Sequence, residues 1–142
     1  MAALDAWPEG WRPSPAAQLF VSFDFGALRV GVASGNRLTQ TASPLPTIAA
    51  QGDARWAAVS AVLQAWRPDA VVVGVPFHPD GAAHENTQRA RKFARQLHGR
   101  FGLPVCGVDE RYTTTEAHSL GARDADAGSA VVILEQFLRS LS

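Results

Sequence analysis

Cysteine is nearly absent from this chain. Cys106 stands alone among 142 residues, so no internal disulfide can form and a reducing, cytoplasmic setting is favoured. Its run, PVCGV, reads as a buried strand in which the thiol acts as a small hydrophobe. An excess of charge is also missing: 13 basic residues face 13 acidic ones. That balance argues against indiscriminate binding of nucleic acid through bulk charge and leaves room for a local basic face. No apolar run approaches the roughly 18 residues of a membrane span, so a membrane partner is not expected. The four histidines, His78, His84, His98 and His118, lack metal-ligand spacing, which argues against a zinc site. The opening MAALDAWPEGWRPSPAAQ has neither the basic nor the apolar region of a secretory signal. Its prolines and small residues read as a flexible arm over 1–18, ahead of one domain over 19–142.

What is present is an alternation of strand and helix signals. LFVSFDFG reads as a buried strand and RVGVASG as its antiparallel partner. The stretch from Leu38 to Ile48, broken by Pro44 and Pro46, reads as a third strand at a sheet edge. Asp53 is placed to cap a helix whose apolar face carries Trp56, Val59, Leu63 and Trp66, and Pro68 ends it. AVVVGVP is a continuous apolar run, as expected of a central parallel strand covered on both faces. After the loop FHPDGAAH, periodicity predicts a helix from about Glu85 to His98, its stripe of Ala90, Phe93, Ala94 and Leu97 reaching on to Phe101. PVCGVDER is the fifth strand, TTTEAHSL begins a short helix with a Thr113–Glu116 capping box, and DAGSAVVILEQFL begins the last helix. This order predicts an α/β fold, a mixed five-stranded sheet with helices on both faces.

Three acidic residues fall at one end of such a sheet: Asp24 closing the first strand, Glu110 closing the fifth, and Asp126 opening the last helix. Converging carboxylates repel one another, and a divalent cation with oxygen ligands is a common remedy. Each has a plainer reading beside it. Asp24, with Gly26 and Gly31, also fits an ordinary hairpin bearing an exposed aspartate. Glu110 also fits a charged strand end, and Asp109 beside it points to the opposite face. For Asp126, spacing alone favours helix capping, with Asp124 competing. Arg111 could contact a phosphate. Arg89, Arg91, Lys92 and Arg95 form a basic stripe that could track a nucleic-acid backbone, or simply be the solvated side of a helix.

FDFGALRVGVA, TASPLPTI, VVVGVPFHPDG, RARKFARQLHGRFG, VDERYTTTEA and DAGSAVVILEQFL occur in this order over nearly the whole chain after the arm. Together they resemble the YqgF/RuvX family of the ribonuclease H-like superfamily. The resemblance implies a ribonuclease H-like fold and a nuclease role in maturing the 5′ end of small-subunit ribosomal RNA precursor, with Holliday junction resolution as the alternative. It implies an acidic site of Asp24, Glu110 and Asp126 holding Mg²⁺ or Mn²⁺, and RNA or branched DNA as partner. Arg29, Arg89, Arg91, Lys92, Arg95 and Arg111 are the expected contacts to the nucleic-acid backbone. The chain departs from the family's pattern at Leu28, where a polar or basic residue is usual, and in a shorter stretch between TTTEA and Asp126. Two other functions compete. An actin-like ATPase or sugar kinase would need a second such domain, and a non-catalytic nucleic-acid-binding protein would keep the fold without turnover.

Overall fold

A computed structural model describes residues 13–76, 86–109 and 125–141 of the chain. Its strands are β1 (Leu19–Asp24), β2 (Val30–Asn36), β3 (Thr41–Ile48), β4 (Ala70–Val75) and β5 (Val105–Asp109). Its helices are α1 (Gly52–Trp66), α2 (Thr87–Phe101) and α3 (Ala125–Ser140). The five strands make one sheet in the order β3-β2-β1-β4-β5. β1, β2 and β3 pair antiparallel, while β4 joins β1 and β5 in parallel, giving the mixed sheet that the order of elements predicts. The proline-bearing β3 is an edge strand, where two missing N–H donors cost least. The short helix expected from TTTEAHSL and the loop FHPDGAAH lie outside the described residues.

Alternation along the strands sorts side chains onto two faces. Val21, Phe23, Val30, Val32, Val71, Val73 and Val75 pack with Val59 and Leu63 of α1 and with Phe93, Ala94 and Leu97 of α2. Phe20, Ala33, Ala70, Val72, Cys106 and Val108 pack with Ala130, Ile133, Leu134, Phe137 and Leu138 of α3. All six residues of β4 are buried because both its faces are covered, which is why its sequence is apolar without alternation. α3 lies very close to β2: a Cβ on Gly35 would sit 2.7 Å from Leu134 Cδ2.

Helix ends depart from the sequence reading in instructive ways. α1 begins at Gly52 after an N-cap, Gln51, that makes no side-chain capping bond; Asp53 lies in the first turn, where its charge complements the helix dipole instead. Arg67, at φ 45°, ends α1, and its N–H bonds the Leu63 carbonyl. α2 starts at Thr87 and runs on to Phe101, where Gly102 at φ 69° closes it. The buried Thr87 hydroxyl bonds the Pro76 carbonyl, tying the end of β4 to the start of α2. The apolar face expected on α1 is met only in part: Trp66 is 46% exposed, while Arg55 is buried beside Val59 and Leu63.

The start of β1 is fastened by polar bonds. The Asp69 carboxylate accepts from the amides of Gln18 (2.8 Å) and Leu19 (3.0 Å). Arg37 Nη1 donates to the carbonyls of Ser14, Pro15 and Ala17 at 3.2–3.4 Å. Residues 1–12 of the expected arm lie outside the described residues. No helix among the described residues is long and apolar enough to cross a membrane.

Candidate active site at the carboxyl end of the sheet

Asp24 is the last residue of β1 and is half-buried. It pairs in register with Gly31 of β2 and Gly74 of β4, so glycine flanks it on both sides. Alternation from Phe20 and Ser22, both buried on the α3 side, assigns Asp24 to that same side. The turn that follows is tight. A Cβ at Gly26 would lie 2.5 Å from the Arg29 carbonyl oxygen, so only glycine allows the chain to close there.

A buried hydrogen bond sets α3 against β1. Ser22 Oγ donates to the Ala130 carbonyl at 2.8 Å, and Ser22 is fully buried. Farther along, Phe20 meets Phe137 edge-on at 5.4 Å, so α3 runs antiparallel to β1. Moving from Ser22 to Asp24 climbs about 6.6 Å along a strand. Moving from Ala130 back to Asp126 climbs about 6 Å along a helix, on the same side of it. The two climbs match, so Asp126 stands on α3 at the height at which Asp24 ends β1. The positive end of the α3 dipole faces this edge and favours negative charge there. The helix backbone is described at Asp126, its side chain is not.

Glu110 and Arg111 lie outside the described residues, directly after Asp109. The strand leading to Glu110 is in place: Val108 pairs with Gly74, which pairs with Asp24, forming one row across the sheet. Of the three expected acids, the structure thus places Asp24, and Asp126 by backbone, at one edge. Asp24 alone has a described carboxylate, and no group of three or more His, Cys, Asp or Glu occurs together among the described residues.

The expected basic residues divide. Arg29 is exposed in the turn after Asp24. Arg89, Lys92 and Arg95 are exposed on α2, and Arg91 is half-buried. Arg89 bonds Asn86 Oδ1 at 3.3 Å. α2 covers the face opposite α3, so the stripe and the acidic edge lie on different faces and approach each other only at the carboxyl end of the sheet, where α2 begins.

Two features lie away from this edge. Cys106 is buried on the α3 face, and burial pushes its thiol up to about 12, which removes it as a nucleophile at neutral pH. A groove of about 410 Å³ lies at the far end of the sheet, lined by Leu19, Ser34, Asn36, Thr41, Leu45 and Trp66 among others. None of its lining residues is ionisable, so it offers no charged side chain to hold a metal ion or a phosphate.

Sequence reasoning overlooked Arg55. Its Nε donates to the Ala50 carbonyl at 2.7 Å and its Nη2 to the Ala27 carbonyl at 3.0 Å, inside the turn after Asp24. The available signal was its place four residues before Val59 and eight before Leu63, on the buried stripe of α1.

Comparison with known proteins agrees with this architecture. A protein of Albidiferax ferrireducens named "Putative pre-16S rRNA nuclease" is 68% identical over 124 residues, covering 87% of this chain and 80% of its own. One of Polaromonas sp. with the same name is 66% identical over 124 residues, covering 87% of this chain and 90% of its own. Thermus thermophilus RuvC, solved in complex with a Holliday junction substrate, superposes with a TM-score of 0.58 at 17% identity, over 87% of this chain and 96% of that one. At that identity the likeness is one of fold, the ribonuclease H-like α/β fold that the sequence resemblance implies. Residues 18–140 match RuvX, described as Holliday junction resolvase, and the chain belongs to that family.

Proposed function

We propose that this chain is a metal-dependent endonuclease for structured nucleic acid, and that its substrate is the 5′ end of small-subunit ribosomal RNA precursor. The observation that carries the reading is the Ser22–Ala130 bond, which brings the end of β1 and the start of α3 to one height and so Asp24 level with Asp126. Cys106 and Val108 both face α3, and continuing that alternation by two residues would bring Glu110 to the same side. The names of the close relatives supply the ribosomal substrate, and the family description supplies junction DNA as the second reading.

An all-carboxylate donor set fits Mg²⁺ or Mn²⁺, hard ions that prefer oxygen, and Asp24, Glu110 and Asp126 would hold them. Such ions, when bound, neutralise phosphate charge and lower the pKa of an attacking water. The chain's own part is to orient those carboxylates from a rigid strand and helix and to lead a nucleic-acid backbone to them. Arg29 would meet a phosphate beside Asp24. Arg89, Arg91, Lys92 and Arg95 would guide the strand from the opposite face around the sheet end, and Arg111 would act next to Glu110. The chemistry resides in the domain over 19–142, in a cytoplasmic setting.

The test incubates the pure full chain, with Mg²⁺ or Mn²⁺, with precursor RNA carrying the 5′ leader and, separately, with a four-way DNA junction. Asp24→Asn is expected to lower kcat by more than about 100-fold, beyond what outer-shell partners of a metal are worth. Binding should remain nearly unchanged, because the loss falls mainly on the transition state. Glu110→Gln and Asp126→Asn are expected to follow, with Asp126→Asn milder because water can replace part of a helix-opening carboxylate. An Asp24→Asn protein that cuts as fast as wild type would place the activity elsewhere. Cutting of the junction but not of RNA would exchange the two substrates, and no cutting by wild type would leave a nucleic-acid-binding protein.

A further inference from the structure

Arg55 is the one charged side chain that is buried among the described residues, at 8% exposure. A guanidinium in that position loses hydration, and only partners that replace the water make it tolerable. An apolar residue would continue the Val59–Leu63 stripe without that cost. The partners Arg55 finds are not on its own helix. Nη2 bonds the Ala27 carbonyl, 28 residues earlier, and the guanidinium carbon lies 5.6 Å from the ring centroid of Phe25. Nε bonds the Ala50 carbonyl just ahead of α1. Phe25 is itself anchored, with its ring 5.3 Å from that of Phe93 on α2. Arg55 therefore grips the turn on either side of Gly26, where the chain has no spare room. Docking of α1 itself stands on Val59, Leu63 and the Trp56–Phe93 stack, which Arg55 does not supply.

We propose that Arg55 is a positioning residue for the active site, holding residues 25–29 so that Asp24 and Arg29 stand correctly toward metal and phosphate. What is positioned rests on the nuclease reading; the grip on the turn does not. One charge-assisted bond holds the turn at the Ala27 carbonyl while the other ties the same guanidinium to the Ala50 carbonyl ahead of α1, so the turn is fastened through its main chain irrespective of the side chains it presents. Leu28, 71% exposed, is then carried outward by a turn whose base is locked.

The test uses the full chain with Arg55→Met, Arg55→Gln and Arg55→Lys. It reads backbone amide resonances, the Mg²⁺ midpoint at the Asp24 amide, and kcat and KM on precursor RNA. For Arg55→Met the expected result is resonance changes concentrated in residues 25–29 and a Mg²⁺ midpoint weakened about tenfold. A kcat lowered by about tenfold or more should accompany a KM moved less than twofold, the size of loss typical of partners that orient a metal ligand. Arg55→Lys, which can reach one carbonyl but not both, recovers part of each. Unchanged 25–29 resonances with wild-type kcat and Mg²⁺ midpoint overturn the proposal. So do changes spread evenly over the sheet with lysine no better than methionine, which would mark Arg55 as general packing. If wild type cuts nothing, the nuclease reading falls, and the location of the resonance changes still decides for or against Arg55. If Arg55→Met fails to fold, the glutamine and lysine variants carry the same readings.

Discussion

The two faces of the sheet are built from different materials. Under α1 and α2 a largely valine core carries a cluster of four rings: Phe23, Phe25 and Trp56 all meet Phe93, at centroid distances of 5.8, 5.3 and 5.4 Å. Under α3 a single ring pair, Phe20 with Phe137, sits among aliphatic and small residues, and one hydroxyl, that of Ser22, bonds across to the helix. The difference follows from what each face must do. Two helices share the valine-lined face, and they meet through rings, Trp56 of α1 stacking on Phe93 of α2. A single helix drawn close by Gly35 and Ala33 needs only one bond to fix how far along the sheet it sits. The aromatic face supports the turn after Asp24 from below, and the small-residue face sets the height of Asp126. The proposed site of Asp24 and Asp126 would depend on both.

The largest break in this comparison comes from Phe93→Ala, which removes the ring shared by three others. A loss of about 3–5 kcal/mol is expected by urea unfolding. Ile133→Ala on the opposite face should cost about 2–5 kcal/mol. The informative part is where each variant loosens. By native-state hydrogen exchange, Phe93→Ala should release residues 25–29 and spare α3, and Ile133→Ala should do the reverse. Equal loosening on both sides would mean that the sheet does not separate the two functions.

Ser22→Ala is smaller and sharper. The Ala130 carbonyl keeps its helical partner, so the loss should be about 1 kcal/mol. If that bond sets the height of α3, kcat should fall further than so mild a destabilisation explains, while KM holds. A variant that loses stability but keeps its full kcat would show that aliphatic packing alone places Asp126.

Much of this plan was legible in the sequence because burial leaves periodic traces. AVVVGV could hardly be anything but a strand covered twice, and the α2 stripe from Ala90 to Leu97 follows from helical spacing. The place of Asp24 at the end of β1 was legible because the apolar run stops there. What was illegible depends on partners distant in the chain. By spacing alone Asp126 reads as a cap, and only the family resemblance marks it as a site residue; the Ser22–Ala130 bond, 108 residues apart, gives it a height beside β1. Arg55 escapes notice because its acceptors are main-chain carbonyls, which no residue type advertises. Trp66 reads as core by spacing, yet the last turn of α1 leaves it at the rim of a groove, 46% exposed. Asp53 reads as a cap because the residue type suits that role, but α1 begins one residue earlier, at Gly52.

The smallest expected effect concerns what keeps the two faces from changing places. A one-residue slip of β1 would carry Phe20, Ser22 and Asp24 to the aromatic side and Val21 and Phe23 to the other. Asp69 opposes that slip, since its carboxylate accepts from the amides of both Gln18 and Leu19 at the start of β1. The Leu19 amide first, then that of Gln18, holds the Asp69 carboxyl below its ordinary 3.8. A carboxyl depressed by folding contributes stability that is fully present above its unfolded value and is lost as pH falls through its folded one. Wild type should therefore exceed Asp69→Asn in stability near pH 6, by less than about 1 kcal/mol because the site is exposed to solvent. The margin should shrink once the pH drops below about 3.8, as the carboxylate takes up its proton. Urea midpoints of the two proteins at pH 6 and pH 3 measure it. A margin that stays constant with pH would mean that shape, rather than charge, holds β1 in register.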